Sequence, residues 1–145
     1  MMTNYFLFES ENEIVEAAKG QVLMRQGEPG TCAFLLVEGK LKVELEKKPP
    51  PVFIAEITPI DIVGEIAILS GKPRCATVTA IENSKLIRLE KSRLKFLFRR
   101  NPEAAEFIVK LLCAKLIGAN EFIAEHCEYE RQFSGEFKKW MEMED

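Results

Sequence analysis

Between Gln21 and Leu89 the apolar residues arrive in short runs, each closed within a few positions by glycine, proline or asparagine. That rhythm leaves room for strands and turns and none for long helices. Gln21-Val22-Leu23-Met24 is followed by the turn residues Gly27-Glu28-Pro29-Gly30, and the apolar run Phe34-Leu35-Leu36-Val37 by Glu38-Gly39. Leu41, Val43 and Leu45 alternate with Lys42, Glu44 and Glu46, the period-two mark of a half-buried strand. Pro49-Pro50-Pro51 cannot join a ladder and marks a hairpin loop. Val52 to Ile57, Ile60 to Val63, Ala76 to Ala80 and Lys85 to Leu89 complete the strands. Their spacing of roughly ten residues predicts a mainly-β fold with flanking α-helices, an antiparallel β-barrel or jelly roll.

The two ends read differently. Residues 5–19 carry apolar side chains at mixed spacing with acids between them, which predicts a helical lead-in ending near Gly20. From Lys91 the period is helical, with Leu94, Leu97 and Phe98 on one face. Asn101-Pro102-Glu103 is a second helix start, with Asn as N-cap and Pro at the first helical position. The long C-terminal helix is expected to run through Phe107, Leu111, Leu112 and Phe122 toward Phe133. The expected organisation is one domain over 1–145: a helical segment (1–19), the barrel (20–90), C-terminal helices (91–133) and an acidic tail (134–145).

Several function classes fall away on composition. The formal net charge of −3 argues against non-specific nucleic-acid binding, which needs a clustered positive field. The basic residues Lys85, Arg88, Lys91, Arg93, Lys95, Arg99 and Arg100 interleave with core Leu and Phe and read most simply as a solvated face. No apolar run approaches the roughly 20 residues of a membrane span, and the start Met-Met-Thr-Asn-Tyr-Phe-Leu-Phe does not resemble a signal peptide. The expectation is a cytoplasmic protein with no membrane contact. Cys32, Cys75, Cys113 and Cys127 lack metal-finger or Cys-x-x-Cys spacing and read as reduced, mostly buried thiols. With His126 the sole histidine, a His-dependent triad or a multi-His metal site within one chain has no material.

One segment carries chemistry. In Gly64-Glu65-Ile66-Ala67-Ile68-Leu69-Ser70-Gly71-Lys72-Pro73-Arg74-Cys75-Ala76-Thr77, a Gly-Glu pair opens a short apolar turn and an arginine leads into the next strand. A carboxylate and a guanidinium are thereby held at the two ends of one loop. A 3′,5′-cyclic nucleotide presents a free ribose 2′-OH and a monoanionic ring phosphate. Glu65 can accept from the hydroxyl with charge-assisted strength, and Arg74 can grip the phosphate with its planar fork. Gly64 permits close backbone approach, the turn aims N–H groups at an anion, and Ala67 and Ala76 leave room. Nothing in the segment could activate a nucleophile or hold a metal, so the residues describe binding without turnover. The alternative is that Glu65 and Arg74 form a structural ion pair under a surface loop.

Over roughly residues 15–130 the chain resembles the cyclic nucleotide-binding domain family, which includes the catabolite activator protein and cyclic-nucleotide-gated channel domains. The resemblance rests on Val63-Gly64-Glu65-Ile66-Ala67-Ile68 and Arg74-Cys75-Ala76-Thr77-Val78-Thr79-Ala80, with Gly20, Gly27, Gly30 and Gly39 at barrel turns. It implies Glu65 on the ribose, and Arg74 with the backbone of Gly64–Ala67 on the phosphate. It implies Val43, Ala55 and Ile57 near the base, and Asn120 at the base edge on the covering helix, the alternative for Asn120 being an exposed amide. Cys75 stands where Ser, Thr or Ala is usual. A thiol is a weak donor, so cGMP is disfavoured and cAMP is the expected ligand.

The resemblance also implies a regulatory role: a non-catalytic sensor, bacterial in style, that turns cyclic nucleotide occupancy into movement of the C-terminal helix. The reader of that motion would be an effector protein or a second copy of the chain paired through that helix. Too few residues follow Phe133 for a helix-turn-helix, and Glu121, Glu125, Glu128 and Glu130 would repel phosphate, so no direct DNA binding is expected. The rival expectation is an interaction scaffold of the same fold with a vestigial pocket.

Overall fold

The computed structural model describes residue 8 and residues 12–47 and 49–126. Eight strands form two four-stranded sheets: β1 (Glu13–Ala17), β2 (Val22–Met24), β3 (Cys32–Glu38), β4 (Leu41–Leu45), β5 (Val52–Ile57), β6 (Asp61–Val63), β7 (Thr77–Ala80) and β8 (Ser84–Glu90). One sheet has the order β1-β8-β3-β6 and the other β2-β7-β4-β5, with every pairing antiparallel. Sequence neighbours often lie in opposite sheets, which is the jelly-roll expectation met. Helix α1 (Glu65–Ser70) sits between β6 and β7, and α2 (Lys91–Arg100) and α3 (Pro102–His126) follow β8.

The apolar runs explain which strands lie deepest. In β3, Cys32, Phe34 and Leu36 face the core cluster with Leu41, Val63, Val78 and Leu86. Ala33 and Leu35 on its other face are also fully buried. Paired with β8 on one side and β6 on the other, β3 is central and covered on both faces, so its sequence is continuously apolar. Helix α1 packs against β3 and α2 against β8, and α2 buries Leu94 and Leu97. Leu36 has no exposed surface. Leu36→Ala should cost about 2–5 kcal/mol, read as a lower midpoint in urea denaturation.

The N-terminal expectation needs correction. Glu13–Ala17 is a strand, not part of a helical lead-in, so strand structure begins before residue 20. Its apolar spacing is compatible with either period, but all five of its residues register with β8, from Glu13↔Arg88 to Ala17↔Ser84. Pairing satisfies the backbone, and the period-two pattern puts Ala17 in the core while Glu16 faces out. β-branched Ile14 and Val15 suit that state. Residues 9–11 and those before Phe8 lie outside the described residues.

Two compact units are distinguished, Met1–Ile108 and Val109–Asp145. In the first, Pro102 opens α3 as expected, Ala104 and Ile108 are buried, and the Phe107 ring lies 5.7 Å from that of Phe8. In the second, α3 continues to His126, and the expected extension to Phe133 and the acidic tail lie outside the described residues.

Candidate functional site

Two left-handed glycines delimit α1: Gly64 at φ 82° before it and Gly71 at φ 76° after it. The chain thus leaves β6, makes under two turns of helix, and swings back through Lys72-Pro73 to Arg74. There it is pinned to the β2–β3 loop by two backbone bonds, the Arg74 N–H donating to Glu28 O at 2.8 Å and the Gly27 N–H to Arg74 O at 2.8 Å. Proline and glycine set the turns, and the backbone ladder fixes where the arginine emerges.

Arg74 is 7% exposed. It donates through Nη1 to Gly64 O at 3.1 Å and through Nη2 to Cys32 Sγ at 3.7 Å. Among the described residues no carboxylate pairs with it. The structural ion pair offered as the alternative for Glu65 and Arg74 is therefore not found. A buried cation whose donors meet only a carbonyl and a thiol is not neutralised by those partners. Glu65, the first residue of α1, is likewise 7% exposed.

Two glycines make space for this arrangement. A Cβ on Gly30 would stand 2.5 Å from both Cζ and Nε of Arg74 and 2.8 Å from Cβ of Ala67. A Cβ on Gly64 would stand 2.6 Å from Arg74 Nη1 and 2.9 Å from Cε of Met24. Gly30 is thus a packing requirement as well as a turn residue. Gly30, Met24 and Cys32 were not identifiable as site-forming from the sequence, because Gly30 and Cys32 reach Arg74, and Met24 reaches Gly64, across the fold. Cys32 also lies in the field of Arg88, whose pKa is raised first by Cys32 and then by Glu90.

The remaining expected site residues divide by position. Ala67 and Ala76 are buried, and Val63 is buried at the end of β6. The Ile66 side chain is exposed, so only its backbone can belong to an anion-binding turn. On the second sheet Val43 pairs directly with Ala55 and with Val78, and Ile57 with Leu41. Val43 and Ala55 pack half-buried on the cluster that also contains Met24, Cys32, Val63 and Ile57. One apolar interior therefore joins the Arg74 loop to the strand residues expected near a base. Cys75 is exposed, as is Cys113, against the expectation of mostly buried thiols; Cys32 alone of the described cysteines is buried. Cys75 lies between Arg74 and Ala76, both buried, just before β7 begins at Thr77. Asn120 is exposed on α3 in the second unit.

The sequence profile of the cyclic nucleotide-binding domain matches residues 14–101, more than half the chain. The protein belongs to the cyclic nucleotide-binding domain family. Among curated relatives of this family, the chain is 38% identical over 102 residues to a cAMP-dependent protein kinase regulatory subunit of Dictyostelium discoideum. That match covers 63% of this chain and 31% of the relative. It is also 38% identical over 104 residues to a cyclic nucleotide-gated potassium channel of Mesorhizobium japonicum, covering 68% of this chain and 28% of the channel. The chain thus spans about a third or less of these relatives' lengths. In structure it resembles the catabolite activator protein of Thermus thermophilus, with a TM-score of 0.69 and 24% identity over 79% of this chain and 55% of that one. Among the described residues no helix is long and apolar enough to cross a membrane, and no group of His, Cys, Asp or Glu could hold a metal ion.

Proposed function

We propose that the barrel is a regulatory cyclic nucleotide sensor that prefers cAMP to cGMP. The observation that carries this reading is the buried Arg74 guanidinium, without a carboxylate partner among the described residues, beside the Gly64 turn. The ring phosphate binds Arg74 and backbone N–H groups of Gly64, Glu65, Ile66 and Ala67. Glu65 accepts from the ribose 2′-OH. Val43, Ala55 and Ile57 line the base, with room left by Ala76 and Val63 behind the turn. Cys75 offers a weak donor in place of a hydroxyl, which removes a contact that guanine would use and leaves adenine favoured. Similarity to a relative named for cAMP supports the same choice.

The output runs through α3. Asn120 is the α3 residue that the family resemblance assigns to the base, and contacts made only in the ligand-bound state shift the population toward it. Val109, Leu116 and Ile117, all more than half exposed, share a helical face suited to pairing two copies. An effector protein or that second copy reads the shift. Glu65→Gln should weaken cAMP about tenfold by removing the charge from the 2′-OH contact, and should leave affinity for a 2′-deoxy analogue nearly unchanged. Titrations of both proteins with both ligands check this; equal losses would remove Glu65 from the ribose.

A second reading rests on the two protein partners Arg74 already has. They could hold the loop without ligand, making the domain an interaction scaffold. Its mark is a folded protein with no saturable cyclic nucleotide binding.

A further inference from the structure

The β2–β3 loop and the α1–β7 connection border a cavity of about 600 Å³ that Ala67 of the phosphate turn lines but neither Glu65 nor Arg74 does. Gly30, Thr31 and Pro73 form part of its walls, and the lysines Lys72, Lys91 and Lys95 line it as well. Its base is tied down, since the Lys91 backbone N–H donates to Thr31 O at 3.3 Å. Glu90 is the sole carboxylate among the lining residues, and its Oε1 already accepts from Arg88 Nε at 2.8 Å. Among the described residues none of the three lysines has an ion-pair partner. The cavity is within the size range of small-molecule sites, roughly 300–1,000 Å³, and carries a net positive charge.

A smaller cavity of about 210 Å³ shares Lys91 and Lys95 with it and is otherwise lined by Ile68, Leu69, Leu94 and Phe98. Leu94 and Phe98 stand one helical turn apart on α2, and Leu69 is 56% exposed. The same two lysines therefore border both cavities, each of which also presents apolar surface.

We propose that these two cavities form a second ligand site, for a small amphiphilic anion. A phosphate or carboxylate head lies against Lys72, Lys91 and Lys95, and an alkyl body lies along Leu69, Leu94 and Phe98. The stems of Lys91 and Lys95 bridge the two parts. This assignment does not depend on the nucleotide reading.

Octyl phosphate and octanoate, both below their micelle concentrations, are the probes, titrated calorimetrically into the full chain at low salt. At least one should bind saturably at one per chain, and the tighter of the two names the head group. Octanol and inorganic phosphate should each bind at least about tenfold more weakly. The double variant Lys91→Ala/Lys95→Ala should lose about twenty-fivefold in affinity, and added salt should weaken the wild type in parallel. Leu69→Asn, an exposed change, should lose about threefold. Excess cAMP should not displace the probe. Displacement by cAMP would put the probe at Arg74 and overturn the site, as would unaltered binding in the lysine variant. Inorganic phosphate or hexaglutamate binding as tightly as both amphiphiles would overturn the ligand class, and no saturation with either amphiphile would overturn both.

Discussion

Arg74→Ala yields a folded barrel that no longer holds a cyclic nucleotide at concentrations saturating the wild type. The substitution removes the charged fork that meets the phosphate, a loss of about 3 kcal/mol or more, hence upward of a hundredfold in affinity. Its structural cost is smaller. Gly64 O and Cys32 Sγ each lose one donor, and the second is a weak acceptor. The backbone bonds from Arg74 N to Glu28 O and from Gly27 N to Arg74 O do not depend on the side chain. Circular dichroism and thermal melting should show native strand content with stability lowered by about 1–2 kcal/mol. Lysine at the same position should restore only part of the affinity, because a point charge cannot reproduce two parallel donors. Retained affinity in the alanine variant would place the phosphate elsewhere.

The glycines around Arg74 give the second large effect, and they separate two causes. Gly64→Ala carries both. Its φ of 82° costs a side chain about 1–2 kcal/mol, and the new Cβ meets Arg74 Nη1 at 2.6 Å and Met24 Cε at 2.9 Å. Gly30→Ala carries only the second cause, because its backbone is not left-handed, but its Cβ falls 2.5 Å from Arg74 Cζ. Both variants should lose at least about tenfold in nucleotide affinity as the guanidinium is pushed aside. Gly64→Ala should in addition melt lower than Gly30→Ala. Parallel melting curves and titrations test this, and wild-type affinity in Gly30→Ala would mean that Arg74 does not set the phosphate position.

Much of the fold was legible because burial writes its period into the chain. The alternation of Leu41, Val43 and Leu45 and the unbroken run in β3 each report how many faces are covered. Glu13–Ala17 was misread because a five-residue segment with one buried alanine has too little periodicity to exclude a helix; its partner β8 decides the matter from far along the chain. The Gly64-to-Thr77 segment was legible for the opposite reason, since its turn residues and its charged residues are local. What surrounds Arg74 was not: Gly30 and Cys32 reach it only after the sheets assemble. Ile66 shows a further limit, because a motif names positions without saying whether side chain or backbone is used.

The central claim is that the Arg74 loop holds a cyclic nucleotide. Its most direct test is equilibrium dialysis of ligand-stripped protein against cAMP, with 5′-AMP as control and cGMP as comparison. The account predicts saturable binding of one cAMP per chain, weaker binding of cGMP, and no saturation with 5′-AMP, which lacks the ring phosphate. No saturation with either cyclic nucleotide, from protein that melts cooperatively, would contradict it.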